Sequence, residues 1–115
     1  MPVTLHALLA RRPDLTHDQF LVYWHRTHGP LIRDTPALAR HIVTYTQHPL
    51  TPSAAELGLD RFDGITVQTF ADWEAFRAFV FEPDAATMNA DMANFLDVDA
   101  LQVTVTEAPL EVIAP

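Results

Sequence analysis

The apolar positions of the chain alternate between strand-like and helix-like spacing, and each change of period marks an element. Val3 to Leu9 is short and mostly apolar between Pro2 and Arg11-Arg12-Pro13, the pattern of a strand covered on both faces. Its polar member is His6. Beyond Pro13 the spacing turns helical: Phe20, Trp24, Thr27, His28 and Leu31 share one face, with Tyr23 at its flank. Thr16 and Gln19 have the spacing of a capping box, and Leu15 with Phe20 can close a hydrophobic staple, so a helix over residues 15–31 is expected to start at Thr16. Gly29-Pro30 interrupts it, because proline lacks the backbone donor and crowds the preceding turn. The helix must kink there or restart with Pro30 in a new first turn, leaving carbonyls near Thr27 and His28 free.

Ala39 to Gln47, rich in β-branched and aromatic residues, predicts a second strand with Arg40, Ile42, Thr44 and Thr46 on one face and His41, Val43, Tyr45 and Gln47 on the other. From His48 to Arg61, Pro49, Pro52, Ser53 and Gly58 predict a loop long enough to act as a lid, with one helical turn at Ala-Ala-Glu-Leu. Asp63-Gly64 marks a turn, and Ile65, Val67 and Thr69 then alternate with Thr66, Gln68 and Phe70 in a third strand. Asp72 caps a second helix with Phe76, Phe79 and Val80 as its core stripe, followed from Pro83 by a helix carrying Met88 and Met92 and ending near Asn94. Leu101 to Thr106 is the fourth strand. The order β-α-β-β-α-β predicts an α+β, ferredoxin-like domain over residues 1–115: a four-stranded antiparallel sheet with helices on one face.

A chain of 115 residues has no second layer for the other face. That face is expected to carry His6, Thr66 with Gln68, and Gln102 with Thr104, together with Leu8 and Phe70. Such a mixture suits neither open water nor a dry core, so a homodimer formed through the sheet face and enclosing a semi-polar cavity is expected.

Composition narrows the partners. Seven basic residues against fifteen acidic ones leave a net charge of −8, which repels phosphate backbones and anionic membrane surfaces. Neither nucleic acid nor membrane is an expected partner, and no apolar stretch approaches the ~20 residues of a membrane span. The first residues lack the basic start and apolar run of a signal peptide, so a cytoplasmic protein is the expectation. With no cysteine and three glycines, thiolate chemistry, phosphate loops and dinucleotide fingerprints are excluded, and no cofactor is expected.

The segment Phe20-x-x-Tyr23-Trp24-x-x-x-His28-Gly29-Pro30-Leu31, behind an Arg-x-Pro strand exit, resembles the EthD-like family of dimeric α/β barrels. Tyr45-Thr46-Gln47-His48 is similar to that family's element closing the second strand. Asp72-x-x-x-Phe76 and Ala90-Asp91-Met92-Ala93-Asn94-Phe95-x-Asp97 resemble its second-helix region. The resemblance implies protomers paired sheet to sheet, with a ligand inside each protomer's cavity. For activity it implies ether degradation, dehydration or decarboxylation of polyketides, or lactone isomerisation, often under an oxidoreductase label. The chain departs from a typical member in the Pro-rich stretch 49–60 and in His25, His41 and His48.

His28 is the foremost catalytic candidate, since imidazole titrates near neutral pH and the carbonyls of an interrupted helix can orient its ring; the alternative is a satisfied core histidine. Tyr45 and His48, at a strand end beside the long loop, are expected to stabilise an oxyanion and to move a proton, unless they only pack. Trp24, His25, His6, His41, Gln68 and Gln102 are the expected substrate-binding residues. His25 and His28 have the i, i+3 spacing that can share a metal, with Asp34 as a third ligand, yet two histidines are a weak signal and no metal is expected. The function expected is cofactor-independent dehydration, decarboxylation or isomerisation of a small aromatic or polyketide-like carbonyl compound by His/Tyr proton transfer. The alternatives are an oxidoreductase acting on ethers or phenols, cofactor-free or with a haem-like ligand, and a ligand-binding dimer without turnover.

Overall fold

The computed structural model describes residues 1–115. Strands β1 (Val3–Leu9) and β3 (Gly64–Phe70) form the centre of a sheet, flanked by β2 (Thr44–Pro49) on the β3 side and β4 (Gln102–Glu107) on the β1 side. The order is β2-β3-β1-β4 and every neighbouring pair is antiparallel, which is the ferredoxin-like α+β arrangement. No helix is long and apolar enough to cross a membrane.

The first helical segment starts where the sequence places it. The Thr16 hydroxyl accepts from the Gln19 backbone N–H at 3.1 Å, and the Gln19 side chain accepts from the Thr16 N–H at 2.9 Å. Helix α1 (His17–Tyr23) then widens into a π-helical turn over Trp24–His28 before α2 (Gly29–Arg33), with Pro30 in its first turn. The π turn is how the chain resolves the Gly29-Pro30 interruption. One additional residue per turn gives the proline ring room, and the Gly29 N–H reaches back to the Trp24 carbonyl. That same carbonyl accepts from the Gln47 side chain at 3.0 Å, so the carbonyl that gains a side-chain partner is Trp24's.

Two expectations are corrected. The second strand begins at Thr44, not Ala39, because Pro36–Ala39 form a short helix, α3, that buries Leu38; burial outweighs the β propensity of the segment. On β3, Thr66, Gln68 and Phe70 do not share a face with His6. The register pairs Ala7 with Thr66, Leu5 with Gln68 and Val3 with Phe70, which turns those three toward the helices and leaves Ile65, Val67 and Thr69 beside His6 and Leu8 on the outer face. Polar identity suggested one side; strand pairing dictates the other.

Helices α4 (Trp73–Val80), capped by the Asp72 carboxylate on the Ala75 N–H at 2.8 Å, and α5 (Ala85–Met92) complete the helical layer. Its core has two parts: Val3, Ile32, Leu38, Phe70, Phe79 and Ala85 in one, and Ala7, Leu9, Phe20, Trp24, Phe95 and Leu96 in the other. Burial of rings such as Phe20, Trp24 and Phe70, each worth about 1.5–3 kcal/mol, ties the helices to the sheet. Gly64 permits the closest of these contacts: a Cβ there would sit 2.5 Å from Cζ3 of the Trp24 indole. The stretch after β2 carries a 3₁₀ turn over Pro52–Leu57 that ends at Gly58, whose φ of 68° is the left-handed conformation glycine adopts freely.

Candidate functional site

Where the two core parts meet, between sheet and helices, lies a cavity of about 200 Å³. Its walls are mostly apolar, supplied by β1, β4, α4, α5 and the Phe95-Leu96 segment. Its polar groups are few: His28 from the π turn, Tyr45 from β2, Thr66 and Gln68 from β3, and Asn89 from α5.

The π turn determines what His28 can do. It directs the ring inward from the end of the turn, where only 6 % of the residue is exposed and Phe95 packs against the imidazole with ring centroids 4.8 Å apart. Nδ1 lies 2.8 Å from Oδ2 of Asp91 on α5. The other Asp91 oxygen accepts from the Tyr23 hydroxyl at 2.5 Å and from the Asn94 amide at 3.2 Å. Burial works against the Asp91 charge, but hydrogen bonds from Tyr23, His28 and Asn94 outweigh it and hold the carboxyl below its usual pKa. Burial lowers the His28 pKa despite the opposing pull of Asp91, and raises that of the Tyr23 phenol, where the hydrogen bond to Asp91 acts in the same direction.

At neutral pH the pair is therefore an ionised carboxylate and a neutral imidazole. Only a protonated Nδ1 can donate to that carboxylate, so Nε2 carries the lone pair and has no hydrogen-bond partner in the protein. A base of this kind, oriented by a carboxylate and set in an apolar cavity, can take a proton from a bound compound. The imidazolium so formed is stabilised by Asp91.

Tyr45 is tied in from the opposite direction. The Gln47 side chain donates to its hydroxyl oxygen at 2.9 Å and accepts from His25 Nδ1. Burial pushes the phenol pKa up, with Gln47, Thr66 and Trp24 opposing from around the oxygen. Because Gln47 supplies the donor, the Tyr45 hydrogen remains available to an acceptor in the cavity. The indole N–H of Trp24 is turned to the same oxygen but forms no hydrogen bond there.

Of the expected site residues, His28, Tyr45 and Gln68 come together at the cavity. Trp24 is fully buried among Phe20 and Gly64 and does not line it. His25 is exposed in a shallow polar cleft with Gly29, Arg33, Tyr45 and Gln47, reaching the cavity only through the Gln47-Tyr45 chain, and points away from the His28-Asp91 pair. His6, His48 and Gln102 stand on the outer sheet face, where His6 bonds Thr106 and His48 bonds Thr46, each at 2.9 Å. His41 is held by Glu82 at 2.7 Å, away from the cavity walls. Asp91, which holds His28, and its partners Tyr23 and Asn94 were not among the expected residues. The signal for Asp91 was an acid set into the apolar stripe Met88, Met92, Phe95.

The sequence matches the EthD domain over residues 12–99. No curated protein matches it. Among solved structures, an EthD family protein from Bacillus halodurans is similar at 20 % identity and a TM-score of 0.71, covering 95 % of this chain and 100 % of that one. A dimeric protein of ferredoxin-like fold from Bacteroides fragilis is similar at 14 % identity and 0.69, over 93 % and 96 %. SnoaB, a cofactor-independent oxygenase from Streptomyces nogalater, is similar at 12 % identity and 0.66, over 96 % of each chain. At these identities the likeness is one of fold.

Proposed function

The chain belongs to the EthD family, and from that premise we propose that it is a cofactor-independent enzyme whose His28, oriented by Asp91, removes a proton from a small carbonyl compound held in the cavity. The observation that carries this reading is the buried His28, held by the half-buried Asp91 and with a free Nε2, at a mostly apolar cavity. A C–H bond next to the carbonyl breaks, its proton goes to Nε2, and the electron pair moves onto the carbonyl oxygen, where the Tyr45 hydroxyl donates. Return of the proton to another carbon gives isomerisation. Expulsion of a β-hydroxyl, which takes the proton back from Nε2 and leaves as water, gives dehydration; in decarboxylation of a β-keto acid Nε2 takes the carboxyl proton, carbon dioxide leaves, and the same proton goes to the enolate carbon.

Size restricts the substrate. A cavity of about 200 Å³ exceeds the roughly 150 Å³ that accommodates benzene and falls short of the roughly 300–1,000 Å³ of drug-sized sites. One ring, or a chain of similar bulk, fits. The outer sheet face, with Thr4, His6, Leu8, Ile65 and Val67 exposed to different degrees, is the surface through which two copies would pair; the similar structure from Bacteroides fragilis is described as dimeric.

The test is deuterium wash-in: aryl ketones and cyclic 1,3-diketones of one ring in D₂O, followed by NMR. The native protein should speed exchange by about 10²–10⁴ over His28→Ala, the range of general-base catalysis. Equal exchange with both proteins, with the variant folded and binding as tightly, would leave a ligand-binding dimer. Oxygen consumption with phenols in the same assay would assign the chain to the oxygenase alternative, whose reaction starts from the same anion.

A further inference from the structure

Gln68 stands at the middle of β3, in the central pair of strands, with Leu5 across from it on β1 and Tyr45 across from it on β2. It lines the cavity and is 3 % exposed. Its Oε1 is buried without a partner. An unpaired buried amide oxygen works against folding, since it loses its water and gains nothing in return. The walls around it do not supply the missing partner: they are mostly apolar, and neither the Tyr45 nor the Thr66 hydroxyl hydrogen-bonds to the amide oxygen.

We infer that the ligand of this cavity carries a hydroxyl or enol head group that pairs with Gln68, so that Gln68 selects hydroxylated rings over bare hydrocarbon ones. This rests on the reading of the cavity as the ligand site. The polar end of the cavity offers an acceptor and a donor from the amide, and a second donor from the Tyr45 hydroxyl. A group that both donates and accepts, such as a phenol or the enol of a 1,3-dicarbonyl, satisfies the amide whichever way round it is turned. A methyl group in the same place leaves the amide unpaired, and sites built to hydrogen-bond a hydroxyl discriminate against its absence for this reason. Gln68 is a positioning and specificity residue here; the proton is taken by His28.

Calorimetric titration of the native protein with phenol and with toluene tests the inference. Phenol should bind about tenfold or more tightly than toluene, the worth of one hydrogen bond that spares a buried group. In Gln68→Leu that preference should vanish or invert, while the urea midpoint rises or holds because an unpaired polar group has been removed. If that variant fails to fold, Gln68→Met keeps the volume and a flexible chain and answers the same question. Equal affinities for phenol and toluene in the native protein, or a phenol preference that survives both variants, overturns the inference and leaves a merely hydrated amide. Absence of binding by both probes at millimolar concentration overturns the ligand class. The two readings fail separately: an intact phenol preference with no deuterium exchange sinks the catalytic proposal alone, and exchange without the preference sinks this one alone.

Discussion

Asp91→Asn separates charge from shape at the centre of the site. In the native chain the Tyr23 hydroxyl and the Asn94 amide both donate to Oδ1, at 2.5 and 3.2 Å, and His28 Nδ1 donates to Oδ2 at 2.8 Å. An asparagine has one acceptor to offer. Two donors already converge on Oδ1, so the amide oxygen should stay there and the NH₂ should face His28. Nδ1 must then accept, which moves the ring hydrogen to Nε2 and turns the cavity-facing nitrogen from a base into a donor. All three charge-assisted hydrogen bonds of the carboxylate become neutral ones, a loss of about 1–3 kcal/mol in stability. The base itself is lost outright, so wash-in should fall by about 10²–10⁴; in serine proteases the analogous wrong tautomer costs about 10⁴. The assay needs no substrate: ¹⁵N shifts of the His28 ring distinguish the two tautomers at pH 8. A native ring protonated at Nε2, or one that keeps its Nδ1 proton in Asp91→Asn, would refute the assignment of His28 as the base.

Three other outcomes follow from packing and charge. Gly64→Ala places a methyl 2.5 Å from a fully buried Trp24 that has nowhere to retreat, so denaturant unfolding should report a loss of about 1–3 kcal/mol or more. Asp63, 4 % exposed, accepts from the Arg11 backbone at 2.9 Å, the Arg11 guanidinium at 2.7 Å and His17 at 2.8 Å, tying the exit of β1 to the start of α1; Asp63→Ala should cost about 3 kcal/mol by the same measurement. For pH, burial depresses the His28 pKa from 6.5, so the unfolded chain takes up that proton before the folded one does. Its contribution is fully present above about 6.5 and is lost as pH falls from there to the folded value; Asp91, also depressed, adds a loss only below its ordinary 3.8. Urea midpoints taken from pH 8 down to pH 5 should fall in the native protein and lose part of that slope in His28→Met; parallel curves would contradict the buried neutral histidine.

Local signals were legible where the chain decides them locally. Thr16 and Gln19 cap α1 because a capping box involves residues three apart, and Asp72 caps α4 for the same reason. The break at Gly29-Pro30 was visible, but its form as a π turn over Trp24–His28 was not, since the turn is stabilised from a distance by Gln47 on β2. Leu38 likewise draws Pro36–Ala39 into a helix through burial that no window of neighbouring residues contains.

The instructive displacement is that of β3. Reading Thr66 and Gln68 as outward residues grouped them with His6, because polar residues on an antiparallel strand ordinarily face water. Strand pairing places them under the helices, opposite Ala7 and Leu5, and Asp91 breaks the same rule from the helical layer by sitting in the stripe of Met88, Met92 and Phe95. Each of these residues is a poor choice for a core. Gln68 in particular lacks any internal partner that would justify it as structure. Local rules fail together at one cavity, which Thr66 and Gln68 line and which Asp91 reaches through His28, and that is where a chain selected for a site rather than for stability alone should break them. The outer-face histidines His6 and His48, which obey the rules, find ordinary threonine partners at 2.9 Å. The misplaced polar residues, together with His28 and unlike the outer-face histidines, are therefore the ones on which the proposed function rests.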